Sequence, residues 1–349
     1  MDLDTNKLQA LLGLMVTELG AAHNAALTII GDELGLYRAM AEAGPLDSTA
    51  LANVTGTNER YIREWLSAQA ASGFISYNPA TQLFSLSPEQ TLALAVDDSP
   101  VNVVGAFVNV AATYSEREQL TQAFKTGGGV AWKDRCSCLF CGTDRFFRTG
   151  YRANLVAEWL PQLDGVVAKL EKGAKVVDVG CGFGSSTLIM AQAFPKSDFL
   201  GVDFHGPSID HARQHGAAQD NLRFEVGRAQ DFHAGDADLV AFFDALHDMG
   251  DPVGAARHAL ECLKPDGTLM LVEPMAGDTL AENMNPVGRI YYAASTTLCV
   301  PAALSQDGGE ALGAQAGYFR LEEVLREAGF TRIRRAAASP FNMVIEARK

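Results

Sequence analysis

Asp178-Val-Gly-Cys-Gly-Phe-Gly184 sets one carboxylate and three glycines at alternate positions. Glycines so placed let the backbone turn tightly and approach a ligand with no Cβ in the way. Residues 176–179 before the turn read as a short buried strand, and 185–194 after it as a helix. Asp203 follows Gly184 by nineteen residues and ends a second strand, 199–203. An acid at that spacing can accept hydrogen bonds from both ribose hydroxyls of a nucleoside. A dinucleotide site would need Gly-x-Gly-x-x-Gly to seat a pyrophosphate on the helix N-terminus. Here Ser185 stands in the third glycine's place, and Asp178 inside the strand repels a phosphate but suits an ammonium or another cation. A second candidate is His247-Asp248, just beyond a strand at 238–244. An imidazole titrates near neutrality and can take a proton from an acceptor hydroxyl, or it can simply cap the next helix. A third is Cys136-Ser-Cys138-Leu-Phe-Cys141. Three soft ligands could hold a metal, but no fourth ligand is near, and the plainer reading is three small half-buried side chains with no metal.

These residues resemble the class I S-adenosylmethionine-dependent methyltransferases, whose first motif is Asp/Glu-x-Gly-x-Gly-x-Gly. Asp178, Gly180, Gly182 and Gly184 match it in full. The cofactor carries a sulfonium, an ammonium and a ribose but no phosphate, in accord with the charges above. The resemblance implies further cofactor contacts from Tyr151, Asp203, Phe204 and Asp244. In the family an Asp often holds the adenine where this chain has Arg228, which leaves Ala229 and Gln230 as the expected adenine contacts. The caffeate-type O-methyltransferases have a similar His-Asp pair whose His takes the acceptor proton, so His247 is the implied catalytic base. The layout also resembles bacterial enzymes of dimethylsulfoniopropionate synthesis, which methylate the thioether of a methylthio-hydroxy acid. Both O- and S-methylation of a small polar acceptor are therefore open. A thioether acceptor loses no proton, and His247 would then bind a substrate carboxylate instead.

The elements that must position these groups follow in order. Strands are expected at 223–227, 238–244 and 268–274, a turn at Lys264-Pro-Asp-Gly267, an amphipathic helix at 319–330 and two closing strands at 331–337 and 342–347. Alternating strands and helices over 151–349 predict an α/β fold with a doubly wound, Rossmann-like sheet, seven-stranded as in the family, with the last strand antiparallel. The insertion at 275–317 is the expected substrate wall. Tyr291, Ser295 and Cys299 recur at helical spacing there, with Tyr292 beside them, and Phe147 is a further expected substrate contact. Helices at 101–114 and 115–125 are expected to roof the cofactor site within a linker spanning 96–150.

Residues 1–95 read as a separate helical unit. Two apolar helices are expected at 5–20 and 21–43. A capped helix at 47–56, a helix at 57–73 and a hairpin at 74–86 with its turn at Asn78-Pro-Ala then form a winged helix. That fold invites a reading as a transcriptional regulator that uses the second domain as a ligand sensor. The region holds ten acids against four bases, too acidic for the phosphate contacts that precede base readout. Surplus apolar surface on the first two helices points to a homodimer instead. With 349 residues, 48% hydrophobic, the chain is long enough for two cores. A net charge of −14 argues against nucleic-acid or anionic-membrane partners. No continuous apolar run approaches a bilayer span, the first residues do not resemble a signal peptide, and six cysteines are expected to be reduced, so the expected location is cytoplasmic.

Overall fold

The computed structural model describes residues 3–349. The chain divides into two compact units, one built from Met1–Ala112 and Cys141–Thr149, the other from Thr113–Phe140 and Gly150–Lys349. The segment 96–150 is thus shared between the units. Its helices run over Val104–Ser115, Arg117–Thr126 and Ser137–Asn154.

In the first unit, Thr5–Glu33 is one continuous helix rather than the expected pair. Gly20 costs a helix only about 1 kcal/mol, too little to break it with good helix formers on both sides. The break falls instead at Leu34–Gly35, where Gly35 adopts φ +67°, and Leu36–Ala43 follows. Thr5–Glu33 is long and apolar enough, by length and composition, to cross a membrane. No uninterrupted apolar run underlies this, because polar residues such as Lys7, Gln9, Glu18 and Asn24 are spread along the helix. Ser48–Thr55 is capped by Asp47, which accepts the Ala50 N–H at 2.8 Å, and ends at Gly56. Glu59–Ala71 starts at Asn58, and Ser76–Asn78 (β1) pairs antiparallel with Leu83–Ser85 (β2). Tyr37, Met40, Leu51, Trp65 and Leu66 form this unit's core. Along Glu59–Ala71, Arg60 pairs with Glu64 and Arg63 with Glu59, so the helix's own acids neutralise its bases.

The second unit holds a seven-stranded sheet. Its strands are Lys175–Val179 (β3), Asp198–Asp203 (β4), Leu222–Val226 (β5), Ala237–Phe243 (β6), Leu263–Pro274 (β7), Arg332–Ala338 (β8) and Asn342–Arg348 (β9). Their order is β5-β4-β3-β6-β7-β9-β8. β3 to β7 run parallel, and β9 is antiparallel to both neighbours. From β3 the chain winds out through β4 and β5, then returns to lay β6 against the other side of β3. The carboxyl ends of β3 and β6 therefore flank the point where strand order reverses, the place where α/β sheets bind ligands. The expected turn at 264–267 lies inside β7: Ala237 pairs with Leu263 and Leu239 with Thr268, so the residues between bulge from the ladder. The insertion contains the helix Pro286–Ala294, a π-turn at Ser295–Cys299 and the helix Val300–Leu304.

The cysteines depart from expectation. Cys136 and Cys138 form a disulfide, their Cα atoms 5.3 Å apart, within bridging range, where the helix Ser137–Asn154 begins. Cys141, Cys181, Cys262 and Cys299 are free thiols.

Candidate active site

The glycine turn leaves β3 as its spacing required, with Gly180, Gly182 and Gly184 all at positive φ. Gly184 is pressed on the Phe224 ring, which a Cβ would meet at 2.5 Å. Above Gly182, by contrast, a Cβ would meet nothing within 4 Å, and that open space is where a ligand can reach the backbone. Asp178 is fully buried beneath the turn. Its Oδ2 accepts the hydroxyls of Ser186 and Thr187, at 2.6 and 2.7 Å, and so ties the strand to the helix Ser185–Ala193. Its buried Oδ1 has no hydrogen-bond partner. Burial pushes the Asp178 carboxyl up to about 6, although the two hydroxyls pull the other way.

Asp203 ends β4 with its carboxylate turned back to the same place. One oxygen accepts the Gly182 N–H at 2.9 Å and the other the His205 N–H at 2.8 Å. Burial raises its pKa against the pull of those two amides. Each oxygen keeps a second lone pair for a ligand hydroxyl. Phe204 beside it is 50% exposed, a large aromatic face left in the open. Phe140 packs on the His205 ring at 4.7 Å and Trp132 packs on Phe140, giving this end of the site an aromatic wall that the sequence had not disclosed. Ala229 and Gln230 follow β5, with Gln230 donating to the Asp251 carbonyl at 3.3 Å and Arg228 paired with Asp307.

A second cluster lies at the ends of β6 and β7. Asp244 takes φ +50°, a left-handed conformation that a non-glycine residue holds only where its surroundings compel it. Its carboxylate accepts the Tyr151 hydroxyl and the Asn342 side-chain amide, both at 2.7 Å. Burial, with Glu273 nearby, pushes Asp244 up to about 8. Burial likewise keeps Tyr151 a neutral phenol. Glu273 itself is buried; it accepts the Leu246 N–H at 3.0 Å and binds His247 Nδ1 through its other oxygen. The other ring nitrogen, Nε2, lies 3.1 Å from Asp248 Oδ1. Burial works against an imidazolium at His247, but Glu273 and Asp248 outweigh it and hold the pKa well above the ordinary histidine range. The two carboxylates thus orient the His247 ring and favour its charged form.

The expected substrate residues separate. Tyr291 and Ser295 share a buried face, as their spacing required. However, Tyr291 donates its hydroxyl to the Phe341 carbonyl at 2.7 Å, and Ser295 accepts the Ala314 N–H at 3.0 Å. Ser295 thus holds the insertion together, and Tyr291 ties it to the segment just before β9. Tyr292, next to Tyr291, is half-buried. Phe147 belongs to the first unit, where its ring meets Phe146 edge to face at 5.0 Å. Cys299, one helical step on, instead reaches the second cluster: its sulfur, His247 and Asp248 each offer a donor atom within 4.8 Å of the others.

Comparison with known proteins accords with this geometry. Residues 170–329 match the family described as a methyltransferase domain, and residues 22–95 match the Rv2258c-like winged HTH domain. A trans-aconitate 2-methyltransferase of Deinococcus radiodurans is 38% identical over 106 residues, 30% of this chain and 40% of that protein. The chain thus spans less than half the length of the first curated relatives it matches. Similar folds include human N-acetylserotonin methyltransferase in complex with SAM, with TM-score 0.70, 17% identity and coverage of 97% of each chain. They also include the mitomycin 7-O-methyltransferase, with TM-score 0.67, 21% identity and coverage of 99% of this chain and 100% of that one.

Proposed function

We propose that this chain, which carries a methyltransferase domain at 170–329 behind a winged HTH domain at 22–95, transfers a methyl group from S-adenosylmethionine to a small polar acceptor. The observation that carries this reading is the turn itself: open backbone at Gly182, flanked by the buried carboxylates of Asp178 and Asp203. These residues fit the cofactor. Asp203 offers lone pairs to two ribose hydroxyls, Phe204 and the Phe140 side a face for the nucleoside, and Asp178 an unsatisfied buried oxygen for the cationic methionine end. When bound, the cofactor supplies a methyl group already activated on a sulfonium. The protein's task is then to hold the acceptor in line with it and keep water out.

Asp178, Asp203, Asp248 and Glu273 set several acids against one imidazolium, a field that favours a cationic ligand over an anionic one. An acceptor held through its own carboxylate, as the thioether acid would be, gains nothing from that field. We infer an acceptor with a hydroxyl or thiol, seated beside the buried His247–Glu273 pair. The winged HTH domain serves assembly rather than DNA binding, since its second helix pairs its bases internally.

Calorimetry with S-adenosylmethionine and with NAD tests the first claim. The expected result is binding of the former only, weakened by about 1.5–3 kcal/mol in Asp203→Ala, the worth of hydrogen bonds to a charged group. Binding of NAD alone would overturn the assignment. A screen of hydroxyl, thiol and thioether acceptors tests the second claim. With a hydroxyl or thiol acceptor, His247→Ala should lower kcat about 10²–10⁴-fold. Turnover confined to thioethers, with only KM altered in the variant, would reverse it.

A further inference from the structure

The cluster at the ends of β6 and β7 contains a donor set that hydrogen bonding leaves incomplete. His247 is oriented through Nδ1 by Glu273, which is itself fixed by the Leu246 N–H. That leaves Nε2 pointing at Asp248, 3.1 Å away. The contact does not have hydrogen-bond geometry, and Asp248 Oδ1 is a buried oxygen without a hydrogen-bond partner. Cys299, a buried free thiol delivered by the π-turn Ser295–Cys299, brings sulfur to the same point. One nitrogen, one oxygen and one sulfur thus converge within 4.8 Å of one another. We propose that His247 Nε2, Asp248 and Cys299 form a binding site for a zinc ion.

The chemistry of the donors selects the metal. Thiolate and imidazole exclude the hard cations calcium and magnesium, and a mixed N/O/S set suits zinc. A carboxylate on the far nitrogen of a ligating histidine is the usual support of such a ligand, which is the arrangement of Glu273 on Nδ1. Three protein ligands leave one tetrahedral position for an outside group, the arrangement of a catalytic rather than a structural zinc. Metal entry displaces the protons of Cys299 and His247 to solvent. The inference rests on the methyltransferase reading in one respect only. If a hydroxyl or thiol acceptor occupies the open position, its heteroatom loses its proton to solvent on ligation. That heteroatom then forms the bond to the methyl carbon as the methyl–sulfonium bond breaks, releasing S-adenosylhomocysteine.

Full-length protein stripped with a chelator and titrated with cobalt(II), zinc's spectroscopic substitute, decides the matter. We expect one ion per chain by elemental analysis and a thiolate-to-cobalt charge-transfer band. The band should be lost in Cys299→Ser and kept in a Cys136→Ser/Cys138→Ser variant. Asp248→Asn should abolish stoichiometric binding even where Cys299→Ser fails to fold. Glu273→Gln should weaken the metal about 10–100-fold. Calorimetry with S-adenosylmethionine on the same samples reports folding and the methyltransferase reading separately. No bound metal in protein that binds the cofactor would overturn the site, as would metal that survives Cys299→Ser. Metal bound with no cofactor affinity would overturn the methyltransferase reading and leave the site standing.

Discussion

Asp178 costs stability and, under the proposed function, serves binding as well. Its folded pKa of about 6 lies above the ordinary aspartate value of 3.8, chiefly because burial disfavours the charge. Between those values the folded state binds more protons than the unfolded one, so stability falls as pH rises through this window and the penalty is complete above it. Two pKa units correspond to about 3 kcal/mol. Asp178→Asn keeps an oxygen for Ser186 and Thr187 while removing the charge. Urea unfolding should therefore show the variant about 1–3 kcal/mol more stable than wild type at pH 7, with little difference at pH 4; equal stability at both would refute the penalty. Cofactor affinity should move the other way. Wild type should bind S-adenosylmethionine more weakly as pH drops through about 6, and the variant should bind weakly throughout. At this scale the sequence disclosed the residues whose spacing is local. Asp178, the glycines and Asp203 stand where strand–turn–strand periodicity put them. Glu273 was missed, although a lone acid directly after the apolar run Leu269–Val272 was a visible sign. Asn342 gave no sign, because its contact with Asp244 spans 98 residues.

Elements were legible wherever capping chemistry was explicit and less so where tertiary packing set the boundary. The helix Ser48–Thr55 begins at Asp47 and ends at Gly56 as written in its residues. The long first helix was divided wrongly because its continuity is fixed by what its C-terminal half buries: Asn24, Ala25, Thr28 and Gly31. Gly31 lies against the Trp65 ring, where a Cβ would come within 2.4 Å, and Trp65 Nε1 donates to the Leu27 carbonyl at 2.8 Å. No periodicity reveals that a glycine in a helix is a seat for an indole from another. Gly31→Leu gains helix propensity but must push two rings apart. Overpacking of this kind costs about 1–3 kcal/mol. A urea midpoint lowered at unchanged slope would report it, and an unchanged or raised midpoint would show that the two helices do not need this close approach. The insertion makes the same point. Spacing placed Tyr291, Ser295 and Cys299 on one face, but not which partners that face meets. The π-turn then carries Cys299 toward His247 while Tyr291 and Ser295 are taken up by backbone groups.

For the molecule as a whole, the question is what covers the N-terminal half of the helix Thr5–Glu33. Leu8, Leu11, Leu12, Met15 and Leu19 are 37–62% exposed and recur at intervals of three and four, a continuous stripe along one side. Leu14 and Val16 lie beyond its edges and are exposed as well. A membrane span would have to be apolar around its whole circumference, whereas Lys7, Gln9, Thr17 and Glu18 interrupt this helix within the same turns. A stripe bordered by polar residues matches a partner helix better, and a net charge of −14 disfavours an anionic bilayer. The same stripe on a second copy is the simplest match, since a two-fold axis lets one surface cover itself. Sedimentation at micromolar concentration should therefore show twice the 37.3 kDa chain mass. Leu11→Asp combined with Met15→Asp puts two carboxylates into the middle of the stripe and should yield a monomer that still binds S-adenosylmethionine, because the glycine turn and Asp203 belong to the second unit. A wild-type monomer at that concentration would remove the dimer. Co-flotation of the wild type, but not the double variant, with neutral lipid vesicles would assign the stripe to a membrane instead.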